Sequence, residues 1–320
     1  MILSRQLLLM EDDMWSQRRY HSLDHYLKKE FGEKLYKLSL DGGMTCPNRD
    51  GRVSYGGCIF CSGEGSGDFA APRNISVEKQ IEYAKSLVSE KYSGHRYIAY
   101  FQAFTNTYAS PEYLRELFIP VIKRDDIAVL DIATRPDCLP PEILNLLSEL
   151  VKIKPLWVEL GLQTSDNGTA MLINRGYDSE IYPDAVKSLH EIGTNVITHM
   201  ILGLPGENKE MMLRTARFIS ESGSDGIKLQ LLHILRGTVL EKMYEKGEIS
   251  ELSEAEYIDL VCSIISELPP ETVIHRLTGD GDKNKLIAPL WSCDKRKVLN
   301  HINHELKQRG IIQGNAQKHE

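Results

Sequence analysis

The chain has 320 residues, 42% of them hydrophobic and 26% charged, with 24 Gly, 13 Pro and six Cys. An apolar content near the globular average excludes a disordered or collagen-like chain, and six Cys in this length are too few for a disulfide scaffold. The formal net charge of −7 argues against sequence-independent nucleic-acid binding through global charge, and the expected compartment is cytoplasmic.

A short apolar run at 6–10 is followed at once by Glu11, Asp12 and Asp13, so no signal peptide is expected. No stretch reaches the roughly 18 apolar residues of a membrane span, and no membrane association is expected. Residues 15–32 read as a polar, partly helical lead-in. From 35 to 235, β-prone runs at 35–40, 97–104, 127–133, 156–162, 195–202 and 226–233 alternate with helical patterns at 76–92, 111–123, 141–152, 182–192 and 210–222. Several of these helices begin with Ser or Pro, as helix starts do. Such alternation implies a parallel sheet, and six units are too few to close an eight-fold barrel. The expected fold is therefore α/β: a short lead-in over 1–34, a partial (β/α)6 parallel barrel over 35–235, and a small α-rich extension over 236–320. The extension carries helical patterns at 253–267 and 295–309 around a Gly/Asp-rich loop at 278–282. Between Lys283 and Arg309, seven Lys/Arg stand against two acids, a local basic end in an acidic chain.

Directly after the first expected strand, CPNRDGRVSYGGCIFCSGEGSGDF places Cys46, Cys58 and Cys61 within sixteen residues of Gly-rich loop. Incidental thiols are the bland reading of such residues, but three this close point to a metal, because a disulfide is unfavourable in a reducing compartment. Zinc in a closed site asks for a fourth ligand at finger spacing, and His21, His25 and His95 are far off in sequence. A 4Fe-4S cubane held by three thiolates leaves one iron for a small chelating molecule, as radical chemistry on S-adenosylmethionine requires. Glycines 51, 56, 57, 63, 65 and 67 let the loop wrap the cluster and aim N–H groups at its sulfides. Phe60 packs beside cluster and adenine, or serves loop packing alone.

Glu159, Gly161 and Gln163 alternate along one strand and share a face. A Glu and a Gln facing inwards need polar partners, which a sulfonium nucleoside supplies. His199, on a buried strand, reads either as a satisfied core histidine or as a cofactor contact. Gly203, Pro205 and Gly206 form a turn at a strand end, where barrel sites are built, and are expected to shape the adenine pocket. Lys228, Gln230 and His233 alternate along the last strand, Arg236 follows in the turn, and Arg276, Asp280 and Asp282 read as a polar loop. These are the candidate substrate contacts, set against a reading as ordinary strand-end and surface polar residues. Cys138, Cys262 and Cys293 are widely spaced and show no Cys-x-x-Cys.

On these residues the chain resembles the radical SAM superfamily, with eleven residues between Cys46 and Cys58 and two between Cys58 and Cys61. The commonest superfamily spacing has a shorter first gap; longer ones occur in the elongator-catalytic-subunit-like branch, which includes the oxygen-independent coproporphyrinogen oxidases. VELGLQTSDNGTAMLINRGY at 158–177 and ITHMILGLPGE at 197–207 resemble core motifs of that branch. KLQLLHILRGTVLEKMYEKGEI and LTGDGDKNKLIAPLWSCDKRKVLN extend the resemblance to the YhcC/YtqA group, also called MnmL-like. The resemblance implies that Gln163 and Arg175 contact the ribose and carboxylate of S-adenosylmethionine. Glu159 then accepts from ribose or amino group, unless it forms a salt bridge with Arg175. Thr105 and Asn106, with Gln102, stand where the superfamily carries a Gly-Gly-Glu motif, and His199 stands where related enzymes often have Asp.

The implied activity is reductive cleavage of S-adenosylmethionine to a 5′-deoxyadenosyl radical. Its implied use is tRNA wobble-uridine modification, from a 5-carboxymethylaminomethyl to a 5-aminomethyl group. Lys295, Arg296 and Lys297 are then the expected tRNA contact, and a flavodoxin or ferredoxin type electron donor the second partner. The rival readings are a radical SAM enzyme acting on a small metabolite, favoured by the acidic net charge, and a cluster-containing regulatory protein.

Overall fold

Strands that are apolar on both faces need cover on both sides, and helices with one apolar stripe supply it. In a computed structural model the chain is described at residues 15, 18–63, 65, 70–90, 92, 94–279 and 281–316; the run at 6–10, Gly67 and Asp280 lie outside these. The order is α1 (Leu23–Phe31), β1 (Tyr36–Leu40), α2 (Val77–Val88), β2 (Tyr97–Phe101), α3 (Pro111–Ile122), β3 (Ile127–Thr134), α4 (Pro141–Leu150) and β4 (Leu156–Gln163). Then come α5 (Asn167–Leu172), α6 (Ile181–Glu191), β5 (Asn195–Leu202), α7 (Lys209–Glu221), β6 (Gly226–Leu231), β7 (Ile234–Leu235), α8 (Val239–Glu245), α9 (Glu254–Glu267), β8 (Val273–Arg276), β9 (Leu286–Ala288) and α10 (Lys295–Gln308). Helix starts follow capping chemistry: Ser76, Ser110 and Ser253 accept from backbone N–H groups in the first turns of α2, α3 and α9. No helix among the described residues is long and apolar enough to cross a membrane.

Seven strands form one parallel sheet in the order β1-β2-β3-β4-β5-β6-β8, a half-barrel. The six expected strands are all present. The seventh corrects the reading of Arg276 as a loop residue: Val273–Arg276 pairs with β6 in the register Gly226↔Val273 and Lys228↔Arg276, so the sheet runs on past 235. Four residues are too few to show a period in sequence.

Residues facing into the half-barrel stack in layers, because every second side chain on each strand points inward. Lowest is an apolar plug of Ile98, Val129, Trp157 and Ile197, closed by Leu27 of α1. Two residues further along the same strands, Tyr100, Asp131, Glu159 and His199 form a polar layer with Lys37 and Lys228. Above it the barrel opens into a cavity of about 530 Å³, the size of a cofactor site.

Candidate active site

Cys46, Cys58 and Cys61 line this cavity from the loop after β1. The loop is held from below: Asn48, fully buried, donates to the Arg175 carbonyl at 2.8 Å and lies 3.8 Å from the Cys58 sulfur. Gly176, at φ 83°, permits this approach, since a Cβ there would sit 2.4 Å from Asn48 Oδ1. On the other side Arg135, paired with Asp137 at 2.7 Å, reaches to 3.9 Å from the Cys46 sulfur. Burial, with the neighbouring Cys61 and Cys46 sulfurs adding to it, pushes the Cys58 thiol up to about 12. A bare Cys58 thiolate is thus unfavourable here until a positive centre joins it. Among the described residues no three of His, Cys, Asp and Glu gather closely enough to hold one metal ion. A cubane does not ask for that, because each thiolate takes a different iron.

The polar layer centres on Glu159, which is fully buried. Its Oε1 accepts from Lys37 at 2.6 Å, and its Oε2 accepts from His199 Nε2 at 2.6 Å and from Lys228. Lys37 also reaches Asp131 at 2.5 Å, and Lys228 reaches the Tyr100 hydroxyl at 3.3 Å. Burial, which alone would raise Glu159, is outweighed by Lys228 and Lys37, which hold it well below the usual carboxylate range. Burial lowers Lys228 to about 7 against the pull of Glu159. Burial and the Glu159 charge raise Asp131 to about 7. Asp131 Oδ1 has no hydrogen-bond partner, which adds to the cost of a full charge on this carboxyl.

A folded-state value above the unfolded 3.8 means that the contribution of Asp131 to stability is full below that pH and lost as pH rises through about 7. In thermal melts, wild type is therefore expected to lose ground to Asp131→Asn between about pH 4 and 7 and to run parallel to it above. Parallel curves throughout would show that Asp131 titrates as an ordinary carboxylate.

The cavity gathers most of the residues expected there: Phe60, Thr105, Gln163 and His199, and on the β6/β8 wall Lys228, Gln230, His233 and Arg276. His199 is satisfied at both nitrogens, accepting at Nδ1 from Gln230 at 3.1 Å, so it is a neutral tautomer that also borders the cavity. Five expectations need correction. Arg175 spends its five N–H groups on protein: the carbonyls of Leu162, Thr164 and Tyr177 and the Ser179 hydroxyl, leaving none for a carboxylate. Two of those carbonyls flank Gln163, whose φ of 65° is rare for a residue other than glycine, so Arg175 fixes the bend that aims Gln163 at the cavity. Glu159 does border the cavity, but its carboxylate is engaged by the two lysines and His199 and not by Arg175. Asn106 donates to the carbonyls of Phe101 and Ala133 and lies off the cavity wall. Gly203 is not among the cavity-lining residues, and a Cβ there would sit 3.1 Å from Leu252; Arg236 is exposed in the turn after β7. Lys37, Tyr100, Asp131, Asn48 and Arg135 were not foreseen.

The sequence pattern of the Radical SAM superfamily matches residues 46–219, more than half of the chain. The chain belongs to the radical SAM superfamily. Its C-terminal domain pattern matches residues 224–308. Among relatives of this radical SAM protein, YtqA of Bacillus subtilis (strain 168) is 48% identical over 299 residues, 93% of either chain, which places it in the YhcC/YtqA group. A tRNA uridine(34) acetyltransferase of Dehalococcoides mccartyi (strain CBDB1) is 31% identical over 155 residues, 47% of this chain and 33% of that one. The archaeal Methanocaldococcus infernus Elp3, solved with an N-terminal deletion, shares the fold with a TM-score of 0.65 at 17% identity, over 87% of this chain and 64% of that one. Radical SAM enzymes use a 4Fe-4S cluster and S-adenosylmethionine, and the residues fit them: three sulfurs on one loop, N–H groups near two of them, and a polar cavity alongside.

Proposed function

We propose that this radical SAM enzyme acts on the wobble uridine of tRNA, converting a 5-carboxymethylaminomethyl to a 5-aminomethyl group. The observation that carries the reading is the cavity itself, with three cysteines on one wall and Lys228, Gln230, His233 and Arg276 on another. Cys46, Cys58 and Cys61 hold the cluster, and Phe60, Thr105, Gln163 and His199 border S-adenosylmethionine. When bound, the pair supplies one chemistry, reductive cleavage of the sulfonium to a 5′-deoxyadenosyl radical. Arg276 and Lys228 suit a carboxylate on the substrate. Lys228, with its value near 7, holds or releases a proton at that wall. A cavity of about 530 Å³ admits a single base and not a duplex, so the nucleotide must be extruded or unpaired.

Two features support tRNA over a small metabolite. A relative that matches 47% of the chain is named a tRNA uridine(34) acetyltransferase. Lys295, Arg296 and Lys297 are exposed in the first turn of α10, where the helix dipole disfavours cations; Lys297 reaches Glu254 at 3.2 Å and Asp294 caps the helix, yet three adjacent cations at a helix start remain a basic surface. Nucleoside profiling of tRNA from a deletion strain is expected to show the carboxymethylaminomethyl form accumulating. Wild type should restore the product, and a variant with these three residues changed to Ala should restore less of it. In vitro, the same variant should bind tRNA more weakly, with the salt slope flattened by about 2. An unchanged nucleoside profile would turn the reading towards a metabolite, which the net charge of −7 favours.

A further inference from the structure

The loop that carries the cysteines also carries a concentration of uncovered apolar surface. Eleven large apolar side chains are exposed among the described residues. Five of them are Val53 (45% exposed), Tyr55 (77%), Met171 (82%), Leu172 (48%) and Val239 (54%), on three segments stitched together around Cys58. Ile59 N donates to the Ile173 carbonyl at 3.1 Å, and Leu240 N donates to the Ile59 carbonyl at 3.0 Å. Asn174 Nδ2 donates to the Gly57 carbonyl at 2.8 Å, and Ser54 Oγ to Asn174 Oδ1 at 3.1 Å. Beneath them Ile59, Ile173 and Leu240 pack into one apolar cluster, so the exposed side chains cap a packed floor. Single exposed apolar residues are ordinary; a group on one surface marks an interaction site.

The chemistry and the local charge identify the occupant. Each cleavage of S-adenosylmethionine consumes one electron, which must reach the cluster from outside. Cys58 lies between Gly57 and Ile59, whose carbonyls take the bonds that join the three segments, so this surface backs directly onto a cluster-loop cysteine and is a short way in. Residues 47–57 hold Arg49 and Arg52 against Asp50, a net +1 in a chain of net −7, so an acidic partner repelled by the rest of the chain is attracted here. Five apolar side chains suit the small interfaces of electron-transfer encounters.

We propose that Val53, Tyr55, Met171, Leu172 and Val239 form the docking surface for a small acidic one-electron donor protein of the flavodoxin type. The donor is oxidised by one electron, the cluster is reduced by one, and no atom crosses the interface. The inference rests on the radical SAM chemistry and does not depend on the substrate being tRNA.

The test uses the full-length reconstituted enzyme and its Met171→Glu and Tyr55→Glu variants, singly and together. Formation of 5′-deoxyadenosine is driven in parallel by pre-reduced flavodoxin and by dithionite, a small reductant that needs no docking. The donor-driven rate is expected to fall about tenfold or more in the double variant, with iron content and the dithionite-driven rate unchanged. Equal losses with both reductants would overturn the proposal, since the variants would then have damaged the cluster loop. Unchanged rates with both would overturn it too. So would an unchanged donor-driven rate accompanied by lost tRNA binding or by a shift in oligomeric state, which would assign the surface to RNA or to a second copy of the chain.

Discussion

Replacing Cys46, Cys58 or Cys61 by Ser is expected to remove the iron and acid-labile sulfide and to cut reductive cleavage of S-adenosylmethionine by well over the roughly 100-fold that loss of an outer-shell partner costs. In a cubane held by these three cysteines each sulfur would serve a different iron, so no neighbouring ligand could replace it. The raised Cys58 value adds a second reason at that position, because its thiol is hard to ionise unless metal binding compensates. Cys262, buried on α9 in the core, supplies the control, and its Ser variant should retain full iron. Wild-type iron content in any of the three loop variants would remove that cysteine from the cluster.

The second large effect is expected at Glu159. Its carboxylate is the common partner of Lys37, Lys228 and His199, so Glu159→Gln leaves the buried Lys228 without its counter-charge and the half-buried Lys37 with Asp131 alone. Breaking a buried pair by removing one partner costs about 3–5 kcal/mol. For a chain of this size the melting temperature should fall by on the order of 5–10 °C. Adding Lys228→Met removes the stranded charge and should recover part of the loss, the non-additivity expected of residues in one network. Losses that simply add would mean that Glu159 and Lys228 do not share an energetic unit.

Much of this site was legible in the sequence, and the remainder fails for a consistent reason. A charged residue on the inward face of an apolar strand announces itself, as Glu159 does in LWVELGLQ. The same signal is present at Lys37 in YKLSL and Asp131 in IAVLDIAT, and reading it there would have found the polar layer. What sequence could not supply is the pairing, because Lys37 lies 94 residues from Asp131 and 122 from Glu159, and only the parallel register brings them together. Without those lysines in view, an inward-facing carboxylate at Glu159 points to a cofactor as its polar partner. Arg175 shows the same limit: its twelve-residue spacing from Gln163 is visible, whereas its grip on the carbonyls around Gln163 exists only once β4 bends. The cysteines were legible throughout because their chemistry is local, with all three on one loop.

Anaerobic incubation of the reconstituted protein with dithionite, S-adenosylmethionine and hypomodified tRNA, scored by mass spectrometry, tests the account most directly. It predicts 5′-deoxyadenosine together with loss of the carboxymethyl mass from the wobble nucleoside. A fully loaded cluster that yields no 5′-deoxyadenosine would contradict it.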